Sequence, residues 1–150
     1  MLPAGYTLRE FVPGRDQRAA FEVIDTAFGE WPDAERGTFE DWAAETLGRP
    51  GFAPSQVGTV VRGEKIVGVA VLIEDPGTIW VSQLAVARAH RGRGLARAVV
   101  LRAIEASRLA QHELTFLVAD EDDWPRRLYE RLGFETIGRV HYFAKAPVKN

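Results

Sequence analysis

The 150-residue sequence contains no cysteine. That excludes disulfides, thiolate metal sites and a cysteine nucleophile, and leaves the cytosol as the default expectation. Long hydrophobic runs are missing as well. No segment is long enough to span a bilayer, and the N-terminal MLPAGYTLRE has no apolar signal core, so a cytoplasmic protein without membrane association is expected. Neither sign of charge predominates: 19 Lys and Arg against 21 Asp and Glu leave a net charge of -2. A chain that coats nucleic acid through bulk charge is excluded on that ground. The three histidines show no metal-ligand spacing, so no metal is expected. Internal repeats and low-complexity linkers are also absent.

What is present is an ordinary globular balance, 46% hydrophobic and 27% charged. The length suits one domain, taken as residues 1–150, with a sizeable core. YTLREFV (Tyr6 to Val12) alternates and stops at Pro13-Gly14, which predicts a strand. Ala20, Phe21, Ile24, Ala27 and Phe28 fall on one face of a helix from about Arg15 to Phe28. A second helix is predicted to run to about Leu47, with Thr38 and Asp41 as a capping pair and Phe39, Trp42 and Ala43 on its apolar face. Phe21, Phe28, Phe39 and Trp42 are read as core, and Trp31 as a wall beside a substrate.

From Val57 the pattern changes to β-branched runs. Two runs flank Arg62-Gly63-Glu64-Lys65, which predicts a hairpin ending near Asp75. The second arm is apolar at almost every position, as a strand covered on both faces would be. TIWVSQLAVA is the next strand. A long helix follows from about Gly94 to Ala110, then the strand ELTFLVA (Glu113 to Ala119). In DDWPRRLYERLG, Asp123 offers an N-cap, Pro125 the first turn and Gly133 the stop of a short helix. FETIG and VHYFAKA are expected to be terminal strands. The order is that of a mixed sheet with helices on its faces, α/β or α+β.

The chemistry concentrates in HRGRGLARAVV, His90 to Val100. A strand ends near Ala87 and a helix begins near Gly94, with two glycines and three arginines (Arg88, Arg91, Arg93) between them. The first N–H groups of a helix lack partners, and its dipole makes that end positive. Glycines let a loop curl into an anion-holding nest and let a ligand approach the backbone. The stretch therefore reads as a pyrophosphate site or, in the bland alternative, a solvated basic turn. No Gly-Lys-Ser/Thr follows, so it is not a P-loop, and its spacing and late position differ from the dinucleotide fingerprint.

Together with LYERLGF (Leu128 to Phe134), this loop resembles the GCN5-related N-acetyltransferase (GNAT) family. Arg91-Gly92-Arg93-Gly94-Leu95-Ala96 matches that family's Arg/Gln-x-x-Gly-x-Gly/Ala signature, and LYERLGF matches its tyrosine shortly before Gly-Phe. The resemblance covers nearly the whole chain in element order. It implies a mixed, mostly antiparallel sheet of six to seven strands with four helices, bulged in the fourth strand and splayed between the fourth and fifth. It implies acetyl-CoA as co-substrate, its pyrophosphate held by Arg91, Gly92, Arg93, Gly94, Leu95 and Ala96. Its pantetheine arm would lie along Leu84, Ala85 and Val86, pairing with backbone as an added strand does. Tyr129 would lie near the thioester sulfur and protonate the leaving thiolate. A backbone N–H of Leu84 or Val86 would polarise the carbonyl.

The implied reaction is direct attack by a primary amine, of a small molecule or a peptide, on acetyl-CoA. The alternative is a CoA-binding sensor or partner module without chemistry. An RNA-binding RGRG loop is disfavoured by the net charge and the short basic patch. An amine of ordinary pKa, roughly 10.4 for a lysine-like group, needs a base or a desolvating pocket to react. Glu30, Glu74, Asp120 and His141 are the candidate bases. Many family members have Asn seven residues before the tyrosine and Ala four before it. Here those positions hold Asp122 and Pro125, and the glutamate that N-terminal acetyltransferases often carry in the fifth strand is replaced by Leu117. The acidic run 120–123 is either a solvated helix start or a collar for a cationic acceptor. His90 and His112 are expected at the surface. A homodimer is compatible with an exposed terminal strand.

Overall fold

The computed structural model of the protein describes residues 2–30, 37–119, 125–141 and 143. They fall in two compact units, Met1–Leu117 and Val118–Asn150.

The first unit holds a five-stranded sheet in the order β1-β2-β3-β4-β5. Its strands are β1 (Tyr6–Glu10), β2 (Val57–Arg62), β3 (Lys65–Asp75), β4 (Thr78–Val86) and β5 (Leu114–Leu117). The first three pairings are antiparallel and β4–β5 is parallel, as a helical crossover between those two strands requires. The β2–β3 hairpin turns at Gly63, whose φ of 64° favours glycine. Strand β3 is buried without a break from Ile66 to Val71, as its unbroken apolar run predicts.

Two helices, α1 (Gln17–Phe28) and α2 (Phe39–Thr46), precede the hairpin, and α3 (Leu95–Leu109) links β4 to β5. The pleat sends alternate side chains to opposite faces and so divides the core in two. One cluster gathers Ala20, Ile24 and Trp42 of α1 and α2 with Val69, Val71 and Ala85 of the sheet. The other joins Leu95 and Val99 of α3 to Tyr6, Val60, Ala70 and Val86. Burying one such valine or leucine contributes about 1.5–3 kcal/mol, several times the propensity difference at any one position, so packing sets the final element ends.

The corner from β1 into α1 is tied by Asp16. Its carboxylate accepts from Arg9 at 2.7 and 3.1 Å and from the Val12 N–H at 2.7 Å. The Thr38 hydroxyl accepts the Asp41 N–H at 3.1 Å and caps α2, as its sequence predicts.

The second unit contains α4 (Pro125–Arg131). Gly133 (φ 93°) ends it. The Gly133 N–H bonds to Glu130 O at 3.1 Å and the Phe134 N–H to Tyr129 O at 3.0 Å. This is a Schellman closure, and the Tyr129 and Phe134 rings meet across it at 6.1 Å.

The expected six to seven strands are thus corrected to five among the described residues. Phe134–Gly138 (FETIG) is not a strand, nor are Arg139, Val140, His141 and Phe143; the rest of VHYFAKA lies outside the described residues. Alternating apolar residues make a strand only where a ladder partner and a covering layer exist. Here Ile137, Val140 and Phe143 are exposed. The expected strand Glu113–Ala119 shortens to Leu114–Leu117. Phe28, expected in the core, is exposed at 37%. Trp31, Asp120 and Asp123 lie outside the described residues.

Candidate functional site

Strand β4 changes character at Ser82. On one side, Val71 of β3 faces Gln83 while Leu72 faces Val81, so Ser82 is an extra residue, a β-bulge. Its hydroxyl donates to Val71 O at 3.2 Å. On the other side, β5 pairs only with Thr78 to Val81. Trp80 stacks on its cross-strand partner Phe116 there, with centroids 5.9 Å apart and planes 7° from parallel. From Ser82 to Val86 that flank of β4 has no strand partner among the described residues.

The direction of the free backbone groups follows from one hydrogen bond. The Ala87 N–H donates to Val67 O, toward β3, at 2.8 Å. Backbone groups alternate along a strand, so those of Ala85 also face β3 and those of Leu84 and Val86 face the open flank. The fold thus leaves an edge of N–H and C=O groups at the two positions expected to pair with an extended ligand arm. Ala85 instead gives its backbone to β3 and its side chain to the core.

Next comes the loop. A single 3₁₀ turn (Arg88–His90) leads to Gly92 (φ 75°) and Gly94 (φ 78°), both left-handed. Gly94 is the N-cap of α3, and no side chain caps the helix. Its first turn carries no acid. The Ala98 N–H reaches Gly94 O at 3.0 Å and closes the first turn. The N–H groups of Gly92, Arg93, Gly94, Leu95, Ala96 and Arg97 find no partner among the described residues. A Cβ built at Gly92 or Gly94 would meet no protein atom within 4 Å, so protein crowding does not demand these glycines. The left-handed turn does. Unsatisfied amides at a positive helix end form an anion site.

The arginines divide their roles. Arg93 is exposed beside the open amides. Arg91 acts as a strut: its Nε donates to Val86 O at 2.9 Å and its Nη1 to Glu30 Oε2 at 2.7 Å. It therefore occupies one of the edge carbonyls and ties the end of β4 to the end of α1. The Arg91 hydrogen bond, and then its charge, holds the Glu30 carboxyl below the usual carboxylate range. A general base near neutral pH needs the opposite shift, so Glu30 is a poor base in this arrangement.

Other expected residues separate in the same way. Trp42 is core, as expected, and its indole N–H donates to Gln83 Oε1 at 3.0 Å, which gives that polar β4 residue a partner. Glu74 is half-exposed, its carboxylate 3.9 Å from His112 Nε2. His141 is exposed. His90 and His112, expected at the surface, are half-buried: the His112 side chain is 13% exposed, and His90 Nδ1 lies 2.9 Å from the Tyr6 hydroxyl. Neither His90's partner nor Glu30's carries a sequence signal, because the pairs lie 84 and 61 positions apart.

Tyr129 belongs to the second unit. It is half-buried on α4, two residues before the helix's last residue, Arg131. Part of the LYERLGF pattern is explained by the helix closure alone: Gly133 supplies the left-handed residue and Phe134 the apolar contact to Tyr129.

A cleft of about 430 Å³ in the first unit reaches the start of the loop at Ala87, Arg88 and Arg91 and is otherwise lined by Ala19, Val23, Ala27 and Ile66 among others. It shares only Arg91 with the loop signature, so the candidate site is placed by the loop amides and the open strand edge rather than by this hollow.

Comparison with known proteins bears on the same features. Residues 17–134 match the family model described as the acetyltransferase (GNAT) family. A mycothiol acetyltransferase of Thermomonospora curvata is 33% identical over 137 residues, which cover 89% of this chain and 45% of the relative. A GCN5-related N-acetyltransferase from Sphaerobacter thermophilus superposes with a TM-score of 0.76 at 32% identity, over 89% of this chain and 42% of that one. A chain of the NatC complex bound to Gag peptide and CoA shares the fold, with a TM-score of 0.73 at 19% identity over 90% of this chain and 87% of that one. The chain therefore spans less than half the length of the curated relative it matches. Among the described residues no helix is long and apolar enough to cross a membrane. A family match over most of the length, a superposable fold, and left-handed glycines that open the signature loop agree: this chain belongs to the acetyltransferase (GNAT) family.

Proposed function

We propose that residues 1–150 act as one acetyltransferase domain that transfers the acetyl group of acetyl-CoA to a primary amine by direct attack, in the cytoplasm. The observation that carries this reading is the pairing, in one unit, of an unsatisfied amide nest at the start of α3 with an unpartnered flank of β4. The nest suits a pyrophosphate and the flank an amide-bearing arm, and acetyl-CoA carries both. Gly92 to Ala96 would hold the pyrophosphate through backbone N–H groups, with Arg93 adding charge. Arg91 would serve by bracing the loop. The N–H groups of Leu84 and Val86 and the carbonyl of Leu84 would pair with the arm and the thioester carbonyl. Tyr129 is assigned the proton for the departing thiolate on its motif.

The acceptor is proposed as a small amine. The relatives' name connects those longer proteins to mycothiol, and the amine-bearing compounds of that chemistry are the first to screen. One observation favours the second reading, a CoA-binding module without chemistry: Glu30, a candidate base, is held by Arg91.

The test is a calorimetric titration with acetyl-CoA, with desulfo-CoA and ATP as controls, followed by an amine screen for thiol release. Micromolar binding selective for the CoA forms is expected, with turnover on at least one amine. Selective binding without turnover on any amine would support the module. No binding by folded protein would overturn both readings.

A further inference from the structure

We infer that Tyr6, on the edge strand β1, positions the phosphate loop through its hydrogen bond to His90. This rests on the proposed role of the loop as the cofactor's anion site.

Tyr6 lies three strands away from β4, yet it belongs to the apolar cluster that holds Val86 and Leu95, the residues flanking the loop. Its ring is buried, and its hydroxyl reaches His90 Nδ1 at 2.9 Å. The two rings meet edge to face, with centroids 5.8 Å apart and planes at 81°. His90 immediately precedes Arg91 and ends the 3₁₀ turn. The His90 N–H bonds back to Ala87 O at 2.9 Å and the Arg91 N–H to Arg88 O at 3.3 Å. The side chain of His90 is therefore the loop's tether to the far side of the sheet, while Arg91 ties it to α1.

The roles at the contact can be assigned. Arg62 Nη1 approaches the Tyr6 oxygen at 3.5 Å and its guanidinium lies 5.4 Å from the ring centroid. The Tyr6 oxygen thus faces a donor already, and its own hydrogen is free to point at Nδ1. Burial, then Arg62, Arg93 and Lys65, hold the His90 imidazole below its ordinary pKa, which favours the neutral ring, whose Nδ1 can accept. A loop with six unpartnered amides and two left-handed glycines gains little order from its own backbone. A fixed side chain at its entrance reduces the ordering that anion binding would otherwise require.

The experiment uses the whole chain and three variants: Tyr6→Phe, His90→Phe and His90→Asn. Tyr6→Phe keeps the buried ring and removes only the hydroxyl. His90→Phe removes the acceptor, and His90→Asn keeps an oxygen near the place of Nδ1. Amide hydrogen exchange at Ala87, His90 and Arg91 is measured without ligand, alongside acetyl-CoA affinity and kcat. Tyr6→Phe and His90→Phe should each speed exchange there by about fivefold, the loss of one hydrogen bond of ordinary net strength. Each should weaken acetyl-CoA by about three- to tenfold with kcat at saturation unchanged, and the double variant should do no more than either one. His90→Asn should restore both readouts. Unchanged loop exchange in Tyr6→Phe, or additive losses in the double variant, would overturn the inference. Should Tyr6→Phe fail to fold, loosening by His90→Phe but not by His90→Asn still decides it. If the wild-type chain binds no acetyl-CoA, the proposed function falls, and the exchange data still answer whether Tyr6 holds the loop.

Discussion

Replacing Gly94 by alanine separates two costs that the structure keeps distinct. The residue has φ 78°, and a Cβ there meets no protein atom within 4 Å. Fold stability therefore suffers only from backbone strain. A left-handed non-glycine residue costs about 1–2 kcal/mol, and the stiffer unfolded chain returns about 0.4–1 kcal/mol of it. The net loss is about 1 kcal/mol, or about 2–4 °C in Tm for a chain of this size. Gly63→Ala in the β2–β3 turn is the matched control, with φ 64° and no atom within 4 Å of the added carbon. Its stability cost should be the same, and it lies in a hairpin turn rather than at the start of α3. Only Gly94→Ala should disturb ligand approach to the nest. Losing one charge-assisted amide–phosphate hydrogen bond there costs about 1.5–3 kcal/mol, which is about ten- to a hundredfold in Kd. The assay is calorimetric titration of both variants with acetyl-CoA, beside thermal melts. If Gly94→Ala binds as tightly as Gly63→Ala while both melt alike, the amides at the start of α3 do not hold the pyrophosphate and the site assignment is wrong.

Two further outcomes follow from other parts of the chain. Tyr129→Phe should lower kcat by about a hundredfold, the low end for loss of a general acid, with acetyl-CoA affinity nearly unchanged; full turnover would remove Tyr129 from the reaction. Asp16, buried under the β1–α1 corner, is held below the usual carboxylate range first by the Arg9 hydrogen bond and then by the Val12 N–H. A depressed carboxylate stabilises the fold above its unfolded pKa, about 4, and that contribution fades as pH falls through the lower folded value. Asp16→Asn should therefore cost about 1–3 kcal/mol at pH 7 in urea unfolding, and the gap to wild type should narrow below about pH 4. A gap that stays constant from pH 7 to pH 2 would show that the charge of Asp16 does not matter.

Features fixed by neighbours in the chain were legible beforehand. The helix α3 and its glycine entrance follow from Gly94 and the apolar spacing after it. The Thr38 cap follows from a hydroxyl placed three residues before an open amide. The end of α4 follows from Gly133, because a left-handed residue closes the helix whatever lies around it. The end of α3 was less sharply marked. Gln111 takes the left-handed position at φ 58° with no glycine to announce it, and the closure is held by the His112 N–H on Ser107 O at 3.0 Å. The terminal strands failed for a related reason, since alternation is a local pattern but a strand needs a partner.

By itself the sequence determined where the chain turns, which residues alternate or repeat with helical period, and that a glycine-opened loop precedes α3. Each of these depends on steric and hydrogen-bonding preferences acting within about five residues. Only the tertiary structure decided that Ser82 is a bulge, that β5 leaves β4 after Val81, that Arg91 spends its guanidinium on Val86 and Glu30, and that Tyr6 reaches His90. Those contacts join residues up to 84 positions apart. They exist because burying two apolar faces of one sheet brings those backbones together, and packing of that kind depends on the sum of the side chains rather than on any short stretch of them.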